Sequence, residues 1–405
     1  SRRTRQPQGQ GLNDLYVRFF RMAERRIVEQ TGRGIVCLIS NYSWLDGLSF
    51  TAMRERYLEV FDQVWIDNLN GDKYKTGKLT PEGLPDPSIF STEWNREGIQ
   101  VGTAIATLVR KQDHADADTV RFRNLWGRNK RADLLATPIP TPEGLFEPTS
   151  PQVELGFPFM PMATSAGYFA WPSLPDLLPR SFPGVKTSRD DVVVDIDRDR
   201  LVARMERYFD PAVLADQMRR IAPGAMESTS RFPAKAVREA LQKRGFLRKN
   251  IVRYCYRPFD LRWMYWDIEE ALLDRPRPEY FPQVFEGNVW IVSQQKPRRE
   301  WSRPQVIHSL GCIDLMDRSA TCLPLYARES PTQALGESEV HETRPNLTPG
   351  AVAYLKALDR APAEDLFFHI VAVLHAPEYA CENAGALRQD WPRVPLPNSR
   401  KALEA

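Results

Sequence analysis

The sequence has no long apolar run; nothing in it approaches the roughly 20 consecutive apolar residues that a membrane-spanning helix needs. Cysteine is sparse. Cys37, Cys255, Cys312, Cys322 and Cys381 include no C-x-x-C pair, which argues against a zinc ribbon or a dithiol redox centre. With no secretory leader visible either, the expected compartment is the reducing cytoplasm. The five histidines, His114, His308, His341, His369 and His375, show no metal-ligand spacing. His369 and His375 lie six apart on one expected helix and do not share its face, so no metal site is expected. There is no G-x-S-x-G, no Walker A motif, no paired-carboxylate nuclease pattern, and no G-x-G-x-x-G after any strand. The charge is nearly balanced, at +3 net, so the total does not mark a polycation-type nucleic-acid binder. The chain opens Ser-Arg-Arg-Thr without an initiator Met, and the expectation is of a processed, truncated or excised piece.

What is present is a globular composition, 42% hydrophobic and 26% charged over 405 residues, enough for two or three domains. The 33 prolines favour turns and broken edges over a helical bundle. Leu15, Phe19, Met22, Ala23 and Ile27 follow helical spacing, so residues 13–30 are expected to be helical and to end at Gly32 or Gly34. Ile35-Val-Cys-Leu-Ile39 is a continuous apolar run expected as a strand buried on both faces. A helix over 48–59 and a strand over 64–69 follow, an order that implies a parallel pair joined by a crossover. Residues 98–111 are expected as a third strand, antiparallel to the second, and residues from 121 as a helix-like stretch. Further on, 192–196 reads as a strand, 198–222 and 233–245 as helices, 247–326 as short strands, and 349–360 and 363–390 as helices.

Three segments invite chemistry. Ser40 to Gly47, a polar and aromatic loop at the carboxyl end of a buried strand, lies where α/β enzymes hold ligands, although it equally suits a capped strand-to-helix connection. Residues 243–303 hold thirteen Lys/Arg against eight Asp/Glu, with Tyr254, Tyr256, Phe259, Trp263, Tyr265, Trp266, Tyr280, Phe281, Trp290 and Trp301 interleaved. Arginines braced by aromatics suit guanine or phosphate contact, and Gln294 in Gln294-Gln-Lys-Pro-Arg-Arg299 suits adenine; a salt-bridged solvated face is the other reading. The turn Gly184-Val-Lys186-Thr187-Ser-Arg189-Asp-Asp191 offers amides and cations for a phosphate, or is simply a turn.

Taken in order, several segments resemble one family. Asn13 to Glu24 followed by Gly32 to Gly47 resembles the stretch after the N-P-P-Y tetrad in gamma-type adenine-N6 DNA methyltransferases, the helix and strand of motif V. Met53-Arg54 with Phe61 to Gly71 resembles motif VI, and Ile89-Phe90 with Val101 to Ala106 the hairpin of motifs VII and VIII. Gly184 to Asp190, Tyr256-Arg-Pro-Phe-Asp260 with Arg262, and Arg275-Pro-Arg277 resemble the target-recognition region of single-chain restriction–modification enzymes. Phe367 to Tyr379 and Pro392 to Leu396 are similar to the C-terminal part of the type ISP group. The N-P-P-Y tetrad and the Gly-rich cofactor motif are not in this sequence, and Leu108 and Val109 stand where related enzymes often carry an aromatic.

The resemblance implies an α/β fold: the C-terminal part of a Rossmann-like methyltransferase sheet (1–135), an α+β target-recognition domain (136–345) and a small helical C-terminal segment (346–405). It implies an S-adenosylmethionine-dependent enzyme that flips an adenine from the duplex for methylation at N6, completed here by a missing upstream methyltransferase segment. Asn41, Tyr42 and Trp44 would wall the base and cofactor pocket; Lys186, Thr187, Arg189, Arg257, Arg262, Arg275, Arg277, Gln294, Lys296, Arg298 and Arg299 would hold or read double-stranded DNA. The alternative is a non-catalytic DNA-specificity module. No membrane partner is expected.

Overall fold

The computed structural model describes residues 12–269, 271–297, 301–316, 320–328 and 342–404, and the chain divides into two compact units, Ser1–Ala163 and Thr164–Ala405. Among the described residues, no helix is long and apolar enough to cross a membrane.

In the first unit the helix Leu15–Glu24 runs on as a π-helix, Arg25–Thr31, and stops at Gly32 in the left-handed region. Then come β1 (Gly34–Asn41), the helix Thr51–Val60, β2 (Gln63–Asn70), β3 (Thr103–Arg110), β4 (Val120–Asn124) and β5 (Glu147–Thr149). They form one mixed sheet in the order β1-β3-β2-β4-β5. β3 is antiparallel to β2, as its sequence suggests, but it is also antiparallel to β1 and lies between the two. The expected direct parallel pairing of β1 with β2 is therefore replaced by insertion of β3, whose Leu108 stands opposite both Val36 and Val64. β1 is left as an edge strand, and Ile35 and Ile39 on it are exposed, contrary to the expectation of burial on both faces.

A second correction concerns residues 121–126. They begin in β4, parallel to β2, not in a helix. The period is two: Val120 and Phe122 are buried while Arg121 and Arg123 face the other way. Arg121 stacks on Trp65 at 4.7 Å and Arg123 pairs with Asp67 at 2.5 Å, each opposite its cross-strand partner. The first unit also extends past residue 135. Phe159 N–H donates to the Leu45 carbonyl at 2.8 Å and its ring packs on Trp44.

Arg54 is fully buried and ties these pieces together. It donates to the carbonyls of Trp44 (2.5 Å), Gly47 (2.8 Å), Gly156 (2.6 Å) and Phe157 (2.8 Å). Burial lowers its pKa to about 10, so it stays a cation at neutral pH.

In the second unit, β6 (Phe182–Pro183) is followed by a helical turn, Asp190–Val193, and β7 (Val194–Asp195), so the strand expected over 192–196 is shortened at its start. Helices Arg198–Phe209, Ala215–Ile221 and Ala234–Arg244 follow, the first capped by Asp197, whose carboxylate accepts from Asp199 and Arg200 N–H. Then come β8 (Ile251–Arg257), β9 (Asp260–Tyr265), β10 (Trp290–Ser293), β11 (Gln305–Ile307), β12 (Leu310–Gly311) and β13 (Thr321–Pro324). They build two four-stranded sheets, β11-β10-β13-β6 and β12-β8-β9-β7, around a core that includes Leu201, Met205, Tyr254, Trp266, Tyr280 and Trp290. The C-terminal helices, Pro349–Ala357 and Ala363–His375 among them, belong to this unit. They are fastened to its beginning: Ser165 donates to Asn383, Val394 N–H to the Pro172 carbonyl, and Leu174 N–H to the Pro392 carbonyl.

Replacing Arg54 by Met leaves four buried carbonyls without their donor. Each such loss costs about 1–3 kcal/mol, so the expected drop in stability is at least about 3 kcal/mol. Urea denaturation monitored by tryptophan fluorescence would test this, and an unchanged midpoint would refute it.

Candidate nucleic-acid interface

Three separate segments of the second unit are laid side by side. β12 runs parallel to β8, with Leu310 opposite Tyr254 and Gly311 opposite Cys255. The turn after β6 then joins the other side of this ribbon. Val185 N–H donates to the Gly311 carbonyl at 2.9 Å, and Ile313 N–H to the Val185 carbonyl at 3.0 Å. A Cβ at position 184 would sit 2.4 Å from the Ile313 nitrogen, so only glycine permits this approach.

Between them opens a cavity of about 390 Å³ lined by Lys186, Thr187, Ser188, Asp190, Asp191, Tyr256, Arg257, Cys312, Ile313 and Asp314. Asp190 organises it, accepting a hydrogen bond from the Tyr256 hydroxyl at 2.7 Å and another from Thr187. Tyr256 carries two guanidinium groups on its ring, Arg257 at 4.3 Å and Arg262 at 4.0 Å. Arg257 also donates to the Tyr256 carbonyl and to Cys312 Sγ, while Arg262 is held on Asp260 through both carboxylate oxygens. The Asp260 carboxyl is lowered by that hydrogen bond.

Arg275 is brought to the same place by the backbone. Its N–H donates to the Lys186 carbonyl at 2.9 Å and its carbonyl accepts from Lys186 N–H at 3.2 Å. Lys186 Nζ pairs with Asp274 at 2.8 Å, and Trp266 Nε1 holds the Pro276 carbonyl at 2.6 Å. The Arg275 side chain is exposed; Arg277 is half-buried with a positive φ.

The structure thus gathers Lys186, Thr187, Arg257, Arg262 and Arg275 from the residues expected to meet DNA. Others go elsewhere. Arg189 is buried, stacked 3.8 Å over Phe232, and donates to the Leu272 and Ala271 carbonyls. Its guanidinium braces the loop at 271–272 and offers no surface. Gln294 is likewise buried and donates to the Met316 carbonyl. Lys296 is exposed, away from the cavity lining. Arg298 and Arg299 lie outside the described residues.

In the first unit, Trp44 has no exposed surface and packs on Phe20, Tyr57 and Phe159. Tyr42 is buried against Gly102 with Lys75 over its ring, and Asn41 Oδ1 accepts from Ser43 N–H at 2.7 Å. The loop is a capped connection whose two rings belong to the core; neither ring is placed to wall a pocket.

The sequence reading missed the acids. Asp190, Asp191 and Asp314 give the cavity three carboxylates against the two cations Lys186 and Arg257. The turn at 184–191, which the sequence leaves open as a phosphate cradle or simply a turn, places Lys186 and Thr187 beside Asp190 and Asp191 in this lining. The Asp190-Asp191 pair in a Gly/Ser-rich turn was the available signal. Among the described residues no group of His, Cys, Asp and Glu is arranged to hold a metal ion.

The chain belongs to the type ISP C-terminal specificity domain family, whose model matches residues 176–405. Solved structures share its fold. A DrdV–DNA complex is 24% identical with a TM-score of 0.61, covering 96% of this chain and 39% of its own. The ATP-dependent type ISP restriction–modification enzyme LlaBIII bound to DNA is 18% identical with a TM-score of 0.63, covering 98% and 26%. A nuclease-deletion mutant of the type ISP enzyme LlaGI with a DNA substrate mimic is 20% identical with a TM-score of 0.59, covering 100% and 37%. The chain thus spans between a quarter and two fifths of the length of these relatives. No curated protein matches it.

Tyr256→Phe should lower stability by about 1.5–3 kcal/mol, the worth of one hydrogen bond to a carboxylate. The same bond raises the phenol pKa above 10.0. Its contribution is therefore present below about pH 10 and is lost as pH rises through the folded value. Chemical denaturation of both proteins from neutral to alkaline pH should show the gap closing; a constant gap would count against this role.

Proposed function

We propose that this chain is the DNA-specificity part of a restriction–modification enzyme that methylates adenine at N6, and that its second unit reads duplex DNA. The observation that carries the reading is the cavity at 186–191, 256–257 and 312–314, within the segment matched by the specificity family. Its mixed donors and acceptors suit base edges. Carboxylates accept from the amino groups of cytosine or adenine, and Arg and Lys donate to guanine. Arg262 and Arg275 beside it, and Arg277 near Arg275, suit phosphate contact. That the DrdV, LlaBIII and LlaGI structures are DNA complexes supports the same partner.

The methyltransferase part of the reading rests on the first unit. We take its mixed sheet as the end of a larger Rossmann-like sheet continued by an upstream segment. The edge strand β1 with exposed Ile35 and Ile39, and a helix exposing Leu15, Phe19 and Met22, form an unusually apolar border for a protein surface. An upstream partner would cover it. S-adenosylmethionine would be bound by that partner, since Tyr42 and Trp44 are enclosed in the core. The competing reading, a specificity module without catalysis, shares the DNA contact and differs in its predicted activity.

The chain alone should transfer no methyl group to DNA, and should do so once joined to an upstream segment bearing N-P-P-Y and the Gly-rich motif. A joined protein that binds duplex and cofactor but never methylates would favour the non-catalytic module. Duplex affinity should fall steeply between low and moderate salt, and Arg275→Ala with Arg277→Ala should weaken binding and reduce the log–log salt slope by about 2. An unchanged slope would take both residues out of the interface.

A further inference from the structure

β8 and β9 are joined by a two-residue turn, Pro258-Phe259, with Arg257 paired to Asp260 across it. Phe259 has φ +63, a conformation at which glycine or asparagine is expected and a bulky side chain is strained. Its ring is fully exposed, at 109%. A strained aromatic in water contributes nothing to the fold. Glycine in its place would relax the turn, so a strained and fully exposed ring points to a contact made outside the chain. Directly behind it stand Arg257 and Arg262, both on the Tyr256 ring, and Arg262 is locked on Asp260. The tip is therefore an apolar point on a rigid, cation-flanked base. Phosphates on either side of a base step match the two guanidinium groups, and an aromatic between them can stack on exposed base faces.

Resting on the DNA-binding reading above, we propose that Phe259 is a wedge that enters a duplex and stacks on its bases, unstacking the step it meets. The probe is a duplex selected by the wild-type chain from a randomised pool, with 2-aminopurine placed at each adenine in turn. Binding should raise 2-aminopurine fluorescence several-fold at one or two adjacent positions. Phe259→Gly should fold with equal or higher thermal stability, yet bind this duplex on the order of tenfold more weakly, the range of one base–aromatic stack, and lose the fluorescence rise. Phe259→Trp should keep both. Equal affinity and an unchanged fluorescence rise in Phe259→Gly would overturn the wedge while leaving DNA binding intact; this is the result expected if the ring instead meets another protein. Failure of the wild-type chain to enrich any duplex would overturn the DNA-binding reading, and the wedge with it.

Discussion

The hydrogen bond from Tyr256 to Asp190 is the constraint on which the second unit's surface depends. It spans 66 positions of sequence and pins the end of β8 to the turn after β6. Tyr256 is then fixed as a platform, and both Arg257 and Arg262 lie on it. A guanidinium held over a ring loses little further entropy when it meets a base or a phosphate, which is the advantage of preorganised recognition. Gly184 is the second half of the constraint. Without its close approach to Ile313, the turn carrying Lys186 and Asp190 would be pushed away from β12 and the cavity would open into a flat surface.

The charge pattern separates two tasks over a short distance. Inside the cavity three carboxylates stand with two cations, so the lining offers both acceptors and donors. Around it stand half-buried Arg262 and exposed Arg275. A chain of nearly zero net charge can still carry a locally cationic face, since the field that matters is local and screened within about a Debye length.

Most of the first unit's elements were legible, the helix from Leu15 by its clean period and the strands at 34–41, 63–70 and 103–110 as short apolar runs between turns. Strand order was not. Adjacency of β1 and β2 follows from the usual crossover only if no later strand is inserted between them, and β3 is. The Arg-Phe-Arg run of β4 has period two, but five residues with two arginines are too short and too polar to declare it; cross-strand Trp65 and Asp67 supply the pairing. At the site, composition marks a cationic segment without distinguishing where its side chains go. Arg189 and Arg257 read alike in sequence, yet one is turned inward onto backbone carbonyls and the other lines the cavity. Buried arginine is stable only where carbonyls converge on it, and that convergence is a property of the folded loop at 271–272.

The two units reach different levels of completeness, and this bears on how function is divided between them. The second closes on itself: the segment Pro392–Val394, beyond the C-terminal helices, returns to Pro172 and Leu174, and its core includes large rings with little exposed surface. A surface built on such a frame can hold its donors and acceptors in place without a partner. The first unit has its aromatic core around Trp44 and Arg54, but among the described residues β1 is an edge strand on which Ile35 and Ile39 are exposed. An eight-residue edge of that character is a template for pairing with another strand. The physical contrast is between a second unit whose ends are tied to each other and a mixed sheet at 34–149 that presents an apolar strand at its border.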